Sequence, residues 1–442
     1  MYSVEYCMSR NIGIHLLTIC ILTLLLSCDY GHKPYRQASE EQVPGTTPLV
    51  VEVDDYGRFW NSASAQATLK AIEAASLDKN TVVMLFIHGW HHNAAEEDKN
   101  YKNFRTSLEQ LQARLREPAY KEARVRLKLQ EEIQVIGLYV GWRGKSLPWV
   151  FDYASFWTRK SAAERVGEGD LREYLSKLQK LYIKRNEKKN GDGPTFMGLV
   201  TVGHSFGGQV LFKAVSGSLE RDLIDALSRS IPDPDANKMR LEEIVSGFGD
   251  LTVLLNPALE AFQYERIDRL TRSAVFTDRQ TPVLLTVSAE DDSARKYWFW
   301  IGRNLNMFFR PTFPDNVGKE LWTTALGEYA PQQTHTLEKA KADPARPPMI
   351  ANAMYDDCTI KQVDFSAPLV LSEAELQPKP QRLQPYSPVV VAYTSNQLVQ
   401  EHSGIFGETF SEFLTDYVAN VEAKRLCLIR EAHLSQVSRT GL

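Results

Sequence analysis

The sequence predicts an α/β fold: a mostly parallel, doubly wound sheet with helices on both faces and a long insertion before the last strand. Three observations carry this. Continuous apolar runs recur along the chain and alternate with segments of helical spacing. Several of the runs lack the polar alternation of a half-exposed strand, so both faces of each need cover. One run, Leu199 to Gly203, leads into Gly203-His-Ser-Phe-Gly207 and then at once into a helical pattern, Gln209 to Val215.

Taken in order, the chain begins with residues outside that fold. Arg10 closes a short n-region, and Ile12 to Leu26 is nearly continuous in apolar character. The run is short for a bilayer span and suits the h-region of a signal peptide over 1–27. It ends in Leu25-Leu-Ser-Cys28, which resembles the bacterial lipobox, although Leu26 is bulkier than usual at its place. That resemblance implies a diacylglyceryl group on Cys28, with cleavage making Cys28 the first residue of a lipoprotein. Asp29 resembles the inner-membrane retention signal of some bacterial lineages. The expected location is the cell envelope, anchored to a membrane and facing the periplasm or exterior. Two or three acyl chains would hold there stably, whereas one would be marginal. An ordinary secretory signal or an uncleaved anchor is the alternative. Cys7 and Cys20 would leave with the signal. Cys358 and Cys427 remain, either as one disulfide or as two buried thiols.

Residues 28–46 are polar and read as a tether, and 47–425 as the folded domain. Strands are expected at 49–53, 81–87, 133–140, 199–203, 251–255, 282–288 and 388–393. A turn lies at Asp54-Asp-Tyr-Gly57. Helices are expected at 66–75, 104–115 (stopped by Pro118), on to about 132, within 149–183, and at 408–423. Residues 295–385 are too long for a simple crossover and read as an insertion partly covering the carboxyl edge of the sheet. Residues 426–442 are a tail. The aromatic segments 149–157 and 297–309 are either core helices or the lining of an apolar pocket.

Charge excludes one class of function. The net charge of -4 provides no basic field, so nucleic acid is not an expected partner. No cofactor is implied, and the sequence does not speak to oligomeric state.

The chemistry is concentrated at Ser205. In the G-x-S-x-G setting between strand and helix, the turn is so tight that Gly203 and Gly207 leave no room for a Cβ. A serine hydroxyl is a weak nucleophile and needs an imidazole base held by a carboxylate. Carboxylates follow the strand 282–288 as Glu290-Asp-Asp292. Asp292 is favoured, Asp291 is the alternative acid and Glu290 third. A histidine, His402, follows the last strand, with His335 in the insertion as runner-up. His32 lies in the tether and His433 beyond the fold. The oxyanion hole needs two backbone N–H groups. Phe206 provides one, and Trp90 the other, with Gly89 letting the backbone approach. His88, His91 and His92 invite a zinc reading, but neighbouring positions rarely ligate one ion and no acidic or thiol cluster completes a shell. His88 is expected to orient its loop by hydrogen bonding.

These pieces resemble the α/β-hydrolase superfamily, and more narrowly a group of poorly characterised bacterial hydrolases. The matching residues are Phe86-Ile-His-Gly-Trp-His-His-Asn-Ala94, Ser155-Phe-Trp-Thr-Arg159 with Ala163 and Val166-Gly167, the elbow, Ser288 to Asp292, and His402-Ser-Gly-Ile-Phe406. The resemblance spans about 49–418 and implies a Ser205–His402–Asp292 triad. Asp291 and Ser293 depart from the expected surroundings of the acid, which keeps the choice between Asp291 and Asp292 open. The expected activity is hydrolysis of a small-molecule or lipid-like carboxylic ester through an acyl-enzyme. An acyltransferase, or an amide or thioester hydrolase with the same triad, is the alternative. A non-catalytic binding lipoprotein on the same scaffold is a third.

Overall fold

The structure, a computed structural model, describes residues 33–36, 42–126, 129–144, 152–186, 195–290, 316–341, 367–382, 384–400, 402 and 404–440. Residues 1–32, where a signal segment and the lipidated Cys28 were expected, lie outside them, as do Asp291, Asp292, Cys358, the stretch 297–309 and the side chains of 152–157 and Cys427.

A single large sheet organises the chain. Its strands run in the order β1 (Leu49–Glu52), β3 (Ile133–Gly141), β2 (Asn80–Ile87), β4 (Met197–His204), β7 (Leu251–Leu255), β9 (Leu284–Ala289), β13 (Val389–Thr394), β10 (His335–Lys339), β12 (Ala374–Pro378) and β11 (Leu369–Leu371). Every pairing from β1 to β10 is parallel, while β12 runs antiparallel to β10 and β11. The fold is therefore α/β with a large, mostly parallel sheet. A small separate sheet joins β5 (Ile231–Asp233), β6 (Lys238–Arg240) and β8 (Ala274–Val275).

The apolar runs explain the layers. Along β2, Val83, Leu85 and Ile87 enter one core while Val82, Met84 and Phe86 enter the other. Each such buried aliphatic side chain contributes about 1.5–3 kcal/mol. The first core is roofed by α1 (Ser62–Asp78), α4 (Asp152–Glu168), α5 (Asp170–Asn186), α6 (Phe206–Ser228) and α7 (Ala261–Arg272). The second is roofed by α2 (Lys99–Leu115), α3 (Pro118–Arg126) and α9 (Glu408–Thr440). Local chemistry starts these helices: Asn61 caps α1 through Ser64 N (2.9 Å), and Asp98 caps α2 through Asn100 N (2.8 Å). On the first face, α8 (Asn316–Thr323) stacks Trp322 on Phe262 of α7 with ring centroids 4.0 Å apart.

One consequence positions the site. The chain leaves β2 for α2 on one face and leaves the adjacent β4 for α6 on the other. Neighbouring parallel strands whose helices depart to opposite faces leave a crevice between their carboxyl ends.

Three segments differ in form from the sequence reading. The helical stretch within 149–183 is two helices broken at Gly169, where Asp170 N bonds Gly57 O at 2.7 Å. The described part of the insertion widens the sheet sideways through β10, β11 and β12, because β10 pairs with the far side of β13. At the C-terminus α9 continues unbroken past residue 425 to Thr440. The N-terminal segment is also held: Tyr35 N and Arg36 N each donate to the Glu52 carboxylate at 2.9 Å, and Arg36 lies over the Tyr101 ring at 4.7 Å. No helix among the described residues is long and apolar enough to cross a membrane.

Candidate active site

Ser205 occupies the turn between β4 and α6 with φ 56° and ψ -123°, a conformation that non-glycine residues rarely adopt. Its backbone is held on several sides. Ser205 N donates to Leu255 O (3.0 Å), and Ser205 O accepts from Gly208 N and Ala258 N, both at 3.0 Å. The flanking glycines are steric requirements. A Cβ on Gly203 would stand 2.6 Å from Gly207 O, and one on Gly207 would stand 2.1 Å from Ile87 O. So the helix can leave the strand at this angle only without those two side chains. Ser205 is 4% exposed.

The loop after β2 lies directly against this turn. A Cβ on Gly89 would fall 2.8 Å from Ser205 Cβ and 3.0 Å from His204 O. His88 holds the loop from beneath. Its Nε2 accepts from Trp142 N (3.1 Å), so its Nδ1 carries the proton and donates to Gly89 O at 2.9 Å. Trp142 Nε1 returns a bond to His88 O at 2.8 Å. Burial, more than any neighbour, pushes the His88 pKa down to about 4, so the ring is neutral near pH 7. His92 instead bonds Asp98 at 3.0 Å, and Trp90 is half-buried, with its ring stacked on His91 at 4.0 Å. The three histidines thus face different partners, and no described group of His, Cys, Asp or Glu is arranged to hold a metal ion. Phe206, buried, is the first residue of α6, where backbone N–H groups project from the positive end of the helix dipole.

His402 arrives from the other side. Its ring lies 4.8 Å, centroid to centroid, from the ring of His204, the residue before Ser205. Its carbonyl accepts from His204 Nε2 and from Asn256 Nδ2, each at 3.0 Å. Because a carbonyl only accepts, His204 Nε2 carries the proton. His335 is elsewhere. It is buried at the start of β10, paired with Ala392 and bonded to Thr334 Oγ1 at 2.8 Å. Four strand spacings separate β10 from β4, roughly 19 Å. Of the two histidine candidates, the fold brings only His402 to the elbow.

The acid candidates begin at the same edge. Strand β9 ends at Ala289, two places from β4, and Glu290 N is fixed to Thr394 O at 2.8 Å. Glu290 is exposed; Asp291 and Asp292 follow it outside the described residues.

Asn256 was not among the sequence candidates. It follows β7 with φ 43°, is buried, and bridges two segments: its Oδ1 accepts from Ala289 N at 2.8 Å while its Nδ2 reaches His402 O. The only local signal was an asparagine closing an apolar strand, Leu255-Asn-Pro257. Arg159, within the α4 segment, is buried and grips Asp55 through two bonds of 2.7 and 3.0 Å and Arg143 O at 2.9 Å. It braces the loop beside the crevice. Burial alone would raise the Asp55 carboxyl, but the guanidinium groups of Arg159 and Arg143, both bonded to it, hold it below its usual range.

No family model matches the chain, and no curated protein or solved structure matches it either.

Proposed function

We propose that this chain is a serine hydrolase of the α/β-hydrolase type that cleaves a carboxylic ester. The observation that carries the reading is Ser205 at φ 56° between β4 and α6, with the His402 segment bonded to the adjacent His204. An exposed edge serine needs no such turn, and strain of this kind persists where the surroundings impose it. The order of parts supports the same reading: the loop after β2 lies at the nucleophile, carboxylates follow a later strand, and a histidine follows β13.

In the proposed reaction Ser205 Oγ attacks the ester carbonyl while His402 takes its proton. Asp292, or Asp291 beside it, holds the imidazole tautomer and stabilises its charged form. Backbone N–H groups of Phe206 and Trp90 hold the oxyanion. His402 then gives its proton to the departing alkoxide, and water, deprotonated by the same ring, releases the acid. The neutral His88 keeps Gly89 in place without adding a charge to the crevice.

An envelope lipoprotein remains the proposed setting, with lipid on Cys28 and a lipid-like ester among the substrates. Glu52, which grips Tyr35 and Arg36, ends β1 at the same edge of the sheet as Ser205. Six residues lie between Cys28 and Tyr35, a span of at most about 25 Å at full extension. An anchor at Cys28 would therefore hold the catalytic edge close to the bilayer.

The test is a series of 4-nitrophenyl esters, acetate to palmitate, hydrolysed by the full chain in detergent. Hydrolysis by the wild type, with kcat lowered more than about 1,000-fold in Ser205→Ala, is expected. Equal rates for the two proteins would remove the reading.

A further inference from the structure

We infer that Asn256 is a positioning residue for His402, acting through the histidine's main chain and tying it to the strand that leads to the acid. This rests on the reading of Ser205 and His402 as the catalytic pair.

The geometry is specific. Asn256 directly follows β7, the strand between β4 and β9, at their shared carboxyl edge. Its own N–H is bonded to Val287 O at 2.8 Å, which fixes its backbone to β9. From there one carboxamide does two things. The oxygen takes the N–H of Ala289, the residue before Glu290-Asp291-Asp292, at 2.8 Å. The NH2 group gives a proton to His402 O at 3.0 Å. The partners are 33 and 146 residues away in sequence. A buried amide satisfied at both ends fixes the separation of the segments that it joins.

The left-handed backbone belongs to the device. At φ 43° asparagine is one of the few side chains tolerated. His204 provides the second donor to the same carbonyl, so both acceptor positions of His402 O are used. With its carbonyl held twice, His402 can adjust mainly about its side-chain torsions. A histidine that must shuttle a proton between serine and leaving group benefits, because a displacement of about 1 Å can cost on the order of 100-fold in rate.

The arrangement separates donor from acceptor, and substitutions can do the same. Asn256→Asp keeps the left-handed preference and the acceptor for Ala289 N but loses the donor to His402 O. Asn256→Gly suits the backbone and loses both. With 4-nitrophenyl butyrate and the full chain, both variants are expected to lower kcat by about 10- to 100-fold while KM stays within about 2-fold. The melting temperature of Asn256→Gly should fall by only a few degrees, since relief of the positive φ offsets part of the cost of the two lost bonds, which is too little to account for the loss in kcat. Adding His204→Ala to Asn256→Gly should deepen the kcat loss.

If Asn256→Asp and Asn256→Gly both retain wild-type kcat while His402→Ala is inactive, the positioning role is wrong and the catalytic pair stands. If losses in kcat simply follow losses in melting temperature, the residue is structural and the inference again fails. If His402→Ala hydrolyses at the wild-type rate, the catalytic reading falls and the positioning role with it.

Discussion

The two ends of β4 are both lined with buried polar groups, and the groups are of different kinds. At the amino end, Asp250 accepts from Leu199 N at 2.7 Å, from Tyr182 OH at 2.6 Å and from Arg425 Nε at 3.2 Å. Beside it is Glu422, whose carboxyl is pushed well above its usual range, chiefly by burial and then by Asp250. Gly198 makes room, since a Cβ there would stand 2.4 Å from Glu422 Oε2. At the carboxyl end, the bonds run from the His204 ring and the Asn256 carboxamide to His402 O, with no carboxylate or guanidinium taking part in them, and Ser205 lies beside them. The amino end ties α9 to β4 and β7 through the Asp250 carboxylate, which accepts from both Arg425 Nε and Leu199 N. The carboxyl end fixes main-chain positions around Ser205 and its positive φ. The same strand thus carries a carboxylate-centred cluster at one end and the proposed catalytic site at the other.

The sharpest way to break this contrast is to damage each end separately. Asp250→Ala leaves Arg425 buried without its carboxylate and should cost about 3–5 kcal/mol in urea unfolding, while kcat per folded molecule stays near wild type. A large kcat loss in that variant would mean that the amino end reaches the chemistry. At the other end, Gly89→Ala drives a methyl group to within 2.8 Å of Ser205 Cβ. Its expected signature is the reverse: kcat down about 100- to 1,000-fold, as for the loss of an oxyanion donor, with a far smaller change in unfolding free energy. Activity retained in Gly89→Ala would remove the close approach of this loop from the account.

Proton linkage sharpens the comparison further. The folded pKa of His88 is lowered from 6.5 to about 4. Unfolded chains bind that proton first as pH falls, so the stability contribution is fully present above 6.5 and is lost as pH drops toward 4. The size is up to about 3 kcal/mol. In His88→Asn, the slope of unfolding free energy against pH across that window should be shallower than in the wild type. Parallel slopes would show that His88 is not held neutral.

Much of the frame was legible because burial writes a simple signature. β2 read as a continuous apolar run since both its faces are covered, and the observed ends of β2, β3, β7 and β13 fall within a residue or two of the reading. The tight turn at Ser205 was legible because two glycines at fixed spacing have a steric cause, visible now in the contacts to Ile87 and Gly207. His88 was read as a loop-orienting side chain, and its two ring nitrogens are committed to backbone partners. What was not legible depends on long-range pairing. Asn256 is defined by a positive φ and by two partners far along the chain, neither of which leaves a local pattern. Glu422 and Arg425 sit in a helical segment where charges ordinarily face water, and only the fold turns them onto β4. The insertion suggested a cover because of its aromatics. Its described strands extend the sheet, since the edge of β13 offers N–H and C=O groups that β10 can satisfy, while the aromatic stretch 297–309 lies outside the described residues.

The most direct measurement is the intact mass of the full chain after reaction with a fluorophosphonate, followed by peptide mapping. The account predicts one adduct, located on Ser205, absent in Ser205→Ala and formed far more slowly in folded His402→Ala. An adduct at another residue, or undiminished labelling of Ser205→Ala, would contradict it.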